Sequence, residues 1–304
     1  MARTLSLIIS GGTARLSKAI CSIGECMIEL APDRGAPGLY RRGIAGDSFN
    51  TAVYLARLHD GLVSYVTGLG DDGVSDQVIA AVEAEGLESS RIRRIEGKRP
   101  GLYMIDVDAD GERQFHYWRN DSAARRMFAG QSARDIASRL DGFDAVYLSG
   151  ITLAILDAGQ REALFEAIPE TGARLFFDPN HRPVLWTDPD EARDTCRRIA
   201  PLCDTVLASL DDNRVLFSDE RDLDAASRWL HDGATRAVIH DGRNDCVVAG
   251  KEGGLIRVAP EKPGKPLDTT GCGDAFNAGY IASILAGNAE QDAVMQAHEL
   301  AARV

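Results

Sequence analysis

From residue 144 onward, four short apolar runs recur at 145–149, 173–177, 205–209 and 237–240, each the length of a buried strand. Between them lie longer polar stretches, such as 190–200 and 223–230, in which apolar positions return at helical spacing. Runs that are apolar throughout, rather than alternating, predict strands covered on both faces. The order strand, helix, strand, helix therefore predicts an α/β fold, a doubly wound and mostly parallel sheet. Open sheets of this kind bind ligands beyond the carboxyl ends of their strands. Those ends here carry Ser149-Gly150, Asp178-Pro179-Asn180, the segment Ser209 to Asp212, and Asp241-Gly242.

The first half of the chain is patterned differently. Residues 102–107 and 113–118 have strand character and are joined through 108–111, where Asp110-Gly111 is a strong hairpin signal. With 27–30 and 39–44 they predict a small antiparallel β lid, its strands drawn from about 27–44 and 101–118. Two helices are expected before the hairpin, 48–58 after Asp47 as a cap and 74–85 closed by Gly86. One α/β domain is expected over 19–304, preceded by a weakly ordered extension over 1–18. The apolar residues from Leu5 to Ile9 are too short a stretch, with no clear cleavage site after them, to predict a signal peptide.

Composition narrows the partners. With 44% hydrophobic residues in 304, the chain can build a substantial core. Its 46 acidic and 34 basic residues give a formal charge of -12, which disfavours nucleic acid and anionic membrane surfaces. No segment approaches the roughly 20 apolar residues of a membrane span. The six cysteines lack paired Cys-x-x-Cys spacing and neighbouring histidines, so they read as reduced thiols of a cytoplasmic protein rather than zinc ligands.

The chemistry concentrates near the end. Gly271-Cys272-Gly273-Asp274 runs directly into a segment in which Phe276, Tyr280 and Ile284 share one helical face. A glycine-rich turn at a helix start presents backbone N–H groups and the positive end of the helix dipole, a site for an anion such as a transferring phosphoryl group. Asp274, in the first turn, is placed to accept a proton from an attacking hydroxyl. Asp268, Thr269 and Thr270 just upstream suit water-mediated binding of Mg²⁺ and phosphate. There is no Gly-x-x-x-x-Gly-Lys-Ser/Thr, so the chain has no P-loop. Gly68-Leu-Gly-Asp-Asp-Gly73 matches Gly-x-Gly-x-x-Gly, but its Asp71 and Asp72 would meet the pyrophosphate of a dinucleotide, which argues against a dehydrogenase.

Three segments in order, Ala45-Gly-Asp-Ser-Phe-Asn-Thr-Ala52, Thr67-Gly-Leu-Gly-Asp-Asp-Gly73 and Asp268-Thr-Thr-Gly-Cys-Gly-Asp-Ala-Phe276, resemble the signatures of the ribokinase-like (PfkB) sugar kinases. The resemblance covers roughly 19–304. It implies ATP as phosphoryl donor, Mg²⁺, a monovalent cation as a further candidate cofactor, and copies that pair into a homo-oligomer through the lid. Within the family, Gly24-Glu-Cys-Met-Ile-Glu-Leu30, Gly101-Leu-Tyr-Met-Ile105, Tyr117-Trp-Arg-Asn-Asp-Ser-Ala-Ala124 and Asp178-Pro-Asn-His-Arg182 are most similar to the branch acting on 2-keto-3-deoxygluconate, a sugar acid.

Carried over position by position, the resemblance makes Asp274 the general base and Gly271, Cys272 and Gly273 the turn around the phosphoryl group. Gly46, Asp47, Asn50, Tyr103, Tyr117, Arg119 and Arg182 become substrate contacts. Ser209, Asp212, Gly242, Asp268, Thr269, Gly271 and Gly273 face the nucleotide, with Asp212 reaching Mg²⁺ through water. Arginines suit the carboxylate of a sugar acid because they hold it with paired, charge-assisted hydrogen bonds. The alternatives are a fructokinase-like or ribokinase-like enzyme of a neutral sugar and, in another class, a non-catalytic nucleotide or sugar sensor.

The sequence also departs from the family pattern. Ala45 and Cys272 replace a frequent glycine and alanine, and Ser209-Leu-Asp-Asp212 stands where Asn-x-x-Glu is common. Only Gly242 of a phosphate-side Gly-x-x-Gly is retained. The chain ends at Val304, where relatives usually continue, so part of the wall around adenine is expected to be missing.

Overall fold

The computed structural model describes residues 18–33, 35–36, 38–108, 113–242, 244–260 and 271–304. Residues 1–17 of the extension expected over 1–18, residues 109–111 of the hairpin turn expected at 108–111, and the segment 261–270, with Asp268, Thr269 and Thr270, lie outside the described residues. In chain order the strands are β1 (Ile20–Ile23), β2 (Met27–Pro32), β3 (Tyr40–Ala45), β4 (Val63–Val66), β5 (Gly68–Gly70), β6 (Arg93–Ile95) and β7 (Gly101–Val107). They continue as β8 (Arg113–Trp118), β9 (Ala145–Ser149), β10 (Arg174–Asp178), β11 (Thr205–Ser209), β12 (Arg236–His240), β13 (Cys246–Gly250) and β14 (Leu255–Val258).

Eight of these form the main sheet in the order β14-β13-β12-β11-β10-β9-β1-β4. From β4 to β12 every neighbour is parallel, and β13 and β14 return antiparallel at one edge. The reason is visible in β9, where every residue is buried. Val146 and Leu148 join Ile23, Phe177 and Trp229 in one core layer, whereas Ala145 and Tyr147 join Ile20, Tyr65, Phe176 and Tyr280 in the other. Each large apolar side chain so enclosed contributes about 1.5–3 kcal/mol. Helices therefore cover both faces, as a parallel sheet requires.

The chain leaves β1 toward β4 on one side and later returns to β9 on the other. That reversal is the topological switch point at which such sheets open a ligand crevice. The second sheet, the expected lid, has the order β3-β2-β7-β8. Its two outer pairings are antiparallel, while the central pair β2 and β7 runs parallel. Parallel pairing follows because both strands leave the core at the same end and point away from it. A third, two-stranded sheet pairs β5 with β6.

The helix Asp47–Leu58 begins one residue earlier than expected. Gly46 occupies the cap position, with no side-chain cap, and Asp47 lies inside the first turn. Asp47 is therefore released from capping and projects from the helix start. The helix Gly73–Ala84 is followed by Gly86 at φ 80, the left-handed turn expected there. Among the described residues no helix is long and apolar enough to cross a membrane.

Candidate active site

Asp274 is the centre around which the other groups can be placed. It lies in the first turn of the helix Cys272–Ala286, whose residues from Asp274 to Leu285 are all buried. Gly271 caps that helix at φ 81, a left-handed conformation that side-chain-bearing residues resist. At Gly273 an added Cβ would meet nothing within 4 Å, so the surface of the turn is open. The first amides of a helix have no partner within it, and Asp274 stands in that first turn.

Asn50 Nδ2 donates to Asp274 Oδ2 at 2.8 Å and fixes its orientation. Burial, followed by the negative charge of Asp47, raises the Asp274 pKa to about 7 despite that bond and the opposing field of Arg182. A carboxyl poised near neutrality matches what a general base needs. Asp47 and Asn50 both come from the helix Asp47–Leu58. Their neighbour Gly46 has a packing reason to be glycine, since its Cβ would come within 2.2 Å of the Glu25 carbonyl oxygen.

The end of β10 supplies the opposite wall. Asp178 accepts from Asn180 N at 2.9 Å and from Asn277 Nδ2 at 2.7 Å, and Asn277 lies one turn beyond Asp274 on the same helix. Burial and then the nearby Asp212 carboxylate hold Asp178 well above the usual carboxylate range. Asn180 turns the chain at φ 33, and its amide reaches Asp47 Oδ2 at 3.4 Å. His181 N donates to Asp212 Oδ1 at 3.2 Å. Two carboxylates thus pin the turn that presents Arg182. Arg182 is exposed, forms no ion pair among the described residues, and acts on both Asp274 and Asp212.

At the end of β11, Ser209 Oγ accepts from Asp212 N at 3.0 Å and starts the helix Leu210–Phe217. Burial raises the Asp212 carboxyl as well. Gly242, after β12, adopts φ 54 with no atom near its missing Cβ. Among the described residues no group of three or more His, Cys, Asp or Glu could hold a metal. The buried Asp212 carboxyl offers the single carboxylate that a Mg²⁺ ion keeping its waters can lean on.

The lid residues divide. Tyr103 is buried, and its hydroxyl donates to Glu29. Burial and that bond push its phenol pKa up, and Asp274 adds to the effect, so the lid face and the helix start lie within electrostatic reach. Tyr117 is 50% exposed, with its ring 5.7 Å from that of Tyr103. Arg119 is not open to a ligand in the way its role as a carboxylate contact requires: it is buried, and Nη2 is ion-paired with the buried Glu25. An arginine so placed already has its charge matched.

The Gly68-to-Gly73 segment stands apart from these groups. Asp72 accepts from Val74 N and Ser75 N at 2.8 and 2.9 Å as a helix cap, and Asp71 accepts from Gly97 N at 3.0 Å. A Cβ at Gly70 would lie 1.8 Å from the Lys98 carbonyl oxygen. This motif builds a turn. Sequence reasoning did not single out Asp178, Asn180 and Asn277 as one network or Glu25 as a partner. For Asn277, the three-residue step from Asp274 along a helix was the available signal.

The family model for pfkB family carbohydrate kinases matches residues 17–304. The chain is 40% identical over 297 residues to the 2-dehydro-3-deoxygluconokinase of Dickeya dadantii (strain 3937), covering 95% of this chain and 94% of that one. It is 38% identical over 297 residues to the enzyme of that name from Escherichia coli (strain K12), covering 95% of each. Among solved structures, the PfkB protein from Polaromonas sp. JS666 superposes with a TM-score of 0.82 at 26% identity, over 94% of this chain and 95% of that one.

Proposed function

The chain belongs to the pfkB family of carbohydrate kinases, and from that premise we propose that it transfers the γ-phosphoryl group of ATP to the terminal hydroxyl of 2-keto-3-deoxygluconate. This is the acid that the relatives' name calls 2-dehydro-3-deoxygluconate, and the product is 2-keto-3-deoxy-6-phosphogluconate. The observation that carries the reading is Asp274: a buried carboxyl with a pKa of about 7, oriented by Asn50, at the open start of a helix.

Asp274 takes the proton of the sugar hydroxyl as that oxygen attacks phosphorus. The Gly271–Gly273 amides stabilise the charge that spreads over the phosphoryl oxygens, which is positioning and electrostatics rather than covalent chemistry. Asp212 would hold Mg²⁺ through water, and the ion would supply neutralisation of the phosphate charge. Asp268 and Thr269, together with Ser209 and Gly242, complete the nucleotide side. The sugar acid lies under the lid against Asn50, Asp47, Gly46, Tyr103 and Tyr117, with its carboxylate on Arg182. Arg119 acts from behind this shell, through its pair with Glu25. The enzyme works in the cytoplasm as a homo-oligomer joined through the lid, whose Tyr40, Phe115, Tyr117 and Trp118 are exposed.

The commitment of Arg119 to Glu25 leaves one exposed arginine rather than two, and this favours a neutral sugar such as fructose as the second reading. Following ATP consumption with a panel of sugars and sugar acids separates the two. Turnover with 2-keto-3-deoxygluconate well above that with fructose or ribose is expected. The reverse order would reject the acid and keep the kinase.

A further inference from the structure

The chain passes between the core and the lid four times, and all four passages come close to Glu25. The register brings the lid strand ends together, since Met27 opposes both Ala45 and Gly101, and Leu102 opposes Trp118. Glu25 precedes β2 and Arg119 follows β8. Their side chains, 0% and 7% exposed, are ion-paired. A Cβ at Gly101, the third passage, would lie 2.7 Å from Glu25 Oε1 and 3.2 Å from Arg119 Cβ. At Gly46, the fourth, it would strike the Glu25 carbonyl oxygen. Arg119 Nη2 is in direct contact with Glu25 Oε2, while Glu25 Oε1 and Arg119 Nε are buried without a hydrogen-bond partner among the described residues.

We propose that Glu25 is a positioning residue whose buried ion pair with Arg119 sets the angle of the lid over Asp274. Separating the members of such a pair would strand two charges away from water. The pair therefore holds the inner end of the lid to the core and fixes its angle. Its effect falls on the sugar, which is gripped between lid and core, and spares the nucleotide, whose contacts come from core strand ends. The inference rests on the kinase reading above, not on the identity of the sugar.

Glu25→Gln, assayed with whichever sugar the wild type phosphorylates best, should lower kcat/KM for that sugar by about 10²-fold, the scale of a small misplacement of reacting groups. KM for ATP should stay unchanged, and sugar-independent ATP hydrolysis should rise as the lid seals less well. Glu25→Gln/Arg119→Gln, which removes both charges, should recover much of the lost kcat/KM. Equal losses for sugar and ATP, or a double variant no better than the single one, would reduce the pair to ordinary core packing and overturn the proposal. Amide hydrogen exchange gives a readout that needs no turnover. Faster exchange in 27–32 and 101–107 of Glu25→Gln, with 145–149 unchanged, is expected, and identical exchange in the lid would also overturn it. A wild type that prefers a neutral sugar would refute the acid assignment and leave these outcomes as they stand.

Discussion

The rim of the main sheet and the lid hold their polar groups by opposite means. At the rim, Asp178, Asn180, Asn277, Asn50 and Asp274 are joined by short, directed hydrogen bonds on buried elements. In the lid, the aromatic residues Phe115, Tyr117 and Trp118 are exposed, and its inner end meets the core at Gly46, Gly101 and the Glu25–Arg119 pair, beside Ile28 and Ile44, which pack against a core cluster. The proposed proton acceptor at the rim has to be fixed to within a fraction of an ångström, and dense networks do that. The lid, on the same proposal, has to admit and release a sugar, which its exposed outer strand β8 leaves room for. Precision and access are divided between two sheets.

The comparison breaks most sharply at its rigid end. Asp274→Asn should lower kcat by about 10³-fold while ATP binding, measured by calorimetry, is unchanged. The same variant sharpens the point through stability. The folded pKa of about 7 lies above the ordinary value of 3.8, so the folded state takes up a proton as pH falls through 7, before the unfolded chain does. Ionised Asp274 thus costs stability in full above pH 7, and the cost shrinks as pH falls, vanishing only near pH 4, where the carboxyl of the unfolded chain is protonated as well. Asp274→Asn should therefore melt higher than wild type at pH 8 by about 3 °C or more, with a clearly smaller gap at pH 5.

A smaller effect is expected from pH alone. In the wild type, kcat/KM should fall about tenfold per pH unit below about 7 as the base is protonated. A flat profile from pH 5 to 8 would mean that Asp274 is not the base. Arg182→Ala, at the margin between rim and cleft, should raise KM for the sugar acid by about 10- to 100-fold, the worth of charge-assisted hydrogen bonds. It should leave KM for a neutral sugar almost untouched. At the compliant end, Tyr117→Ala should raise KM for the sugar only about two- to tenfold, with kcat preserved, since a half-exposed ring contributes contact area rather than chemistry.

The same division governs what could be read from the sequence. Strands β9 and β11 fall where the apolar runs lie, because a strand buried on both faces needs an uninterrupted run. The position of Asp274 at a helix start also follows from local pattern, two glycines before a helical face. The parallel pairing of β2 and β7 was not legible, because it depends on where the chain re-enters the lid. Nor was the commitment of Arg119, since a buried partner brought from the other end of the lid leaves no mark on local spacing. Gly46 was read as a ligand contact on family resemblance, and its tight approach to Glu25 could be seen only in three dimensions.

The antiparallel return at the edge of the main sheet has a practical consequence. The strand that ends the sheet there, β14, has only four residues, and it carries Arg257, held to Asp222 at 2.7 Å. A short border strand with a cation makes a poor template for the backbone of a neighbouring molecule. Crowded solutions of this enzyme should accordingly resist fibrillar association at that border, and replacing Arg257 with an apolar β-branched residue would remove the guard.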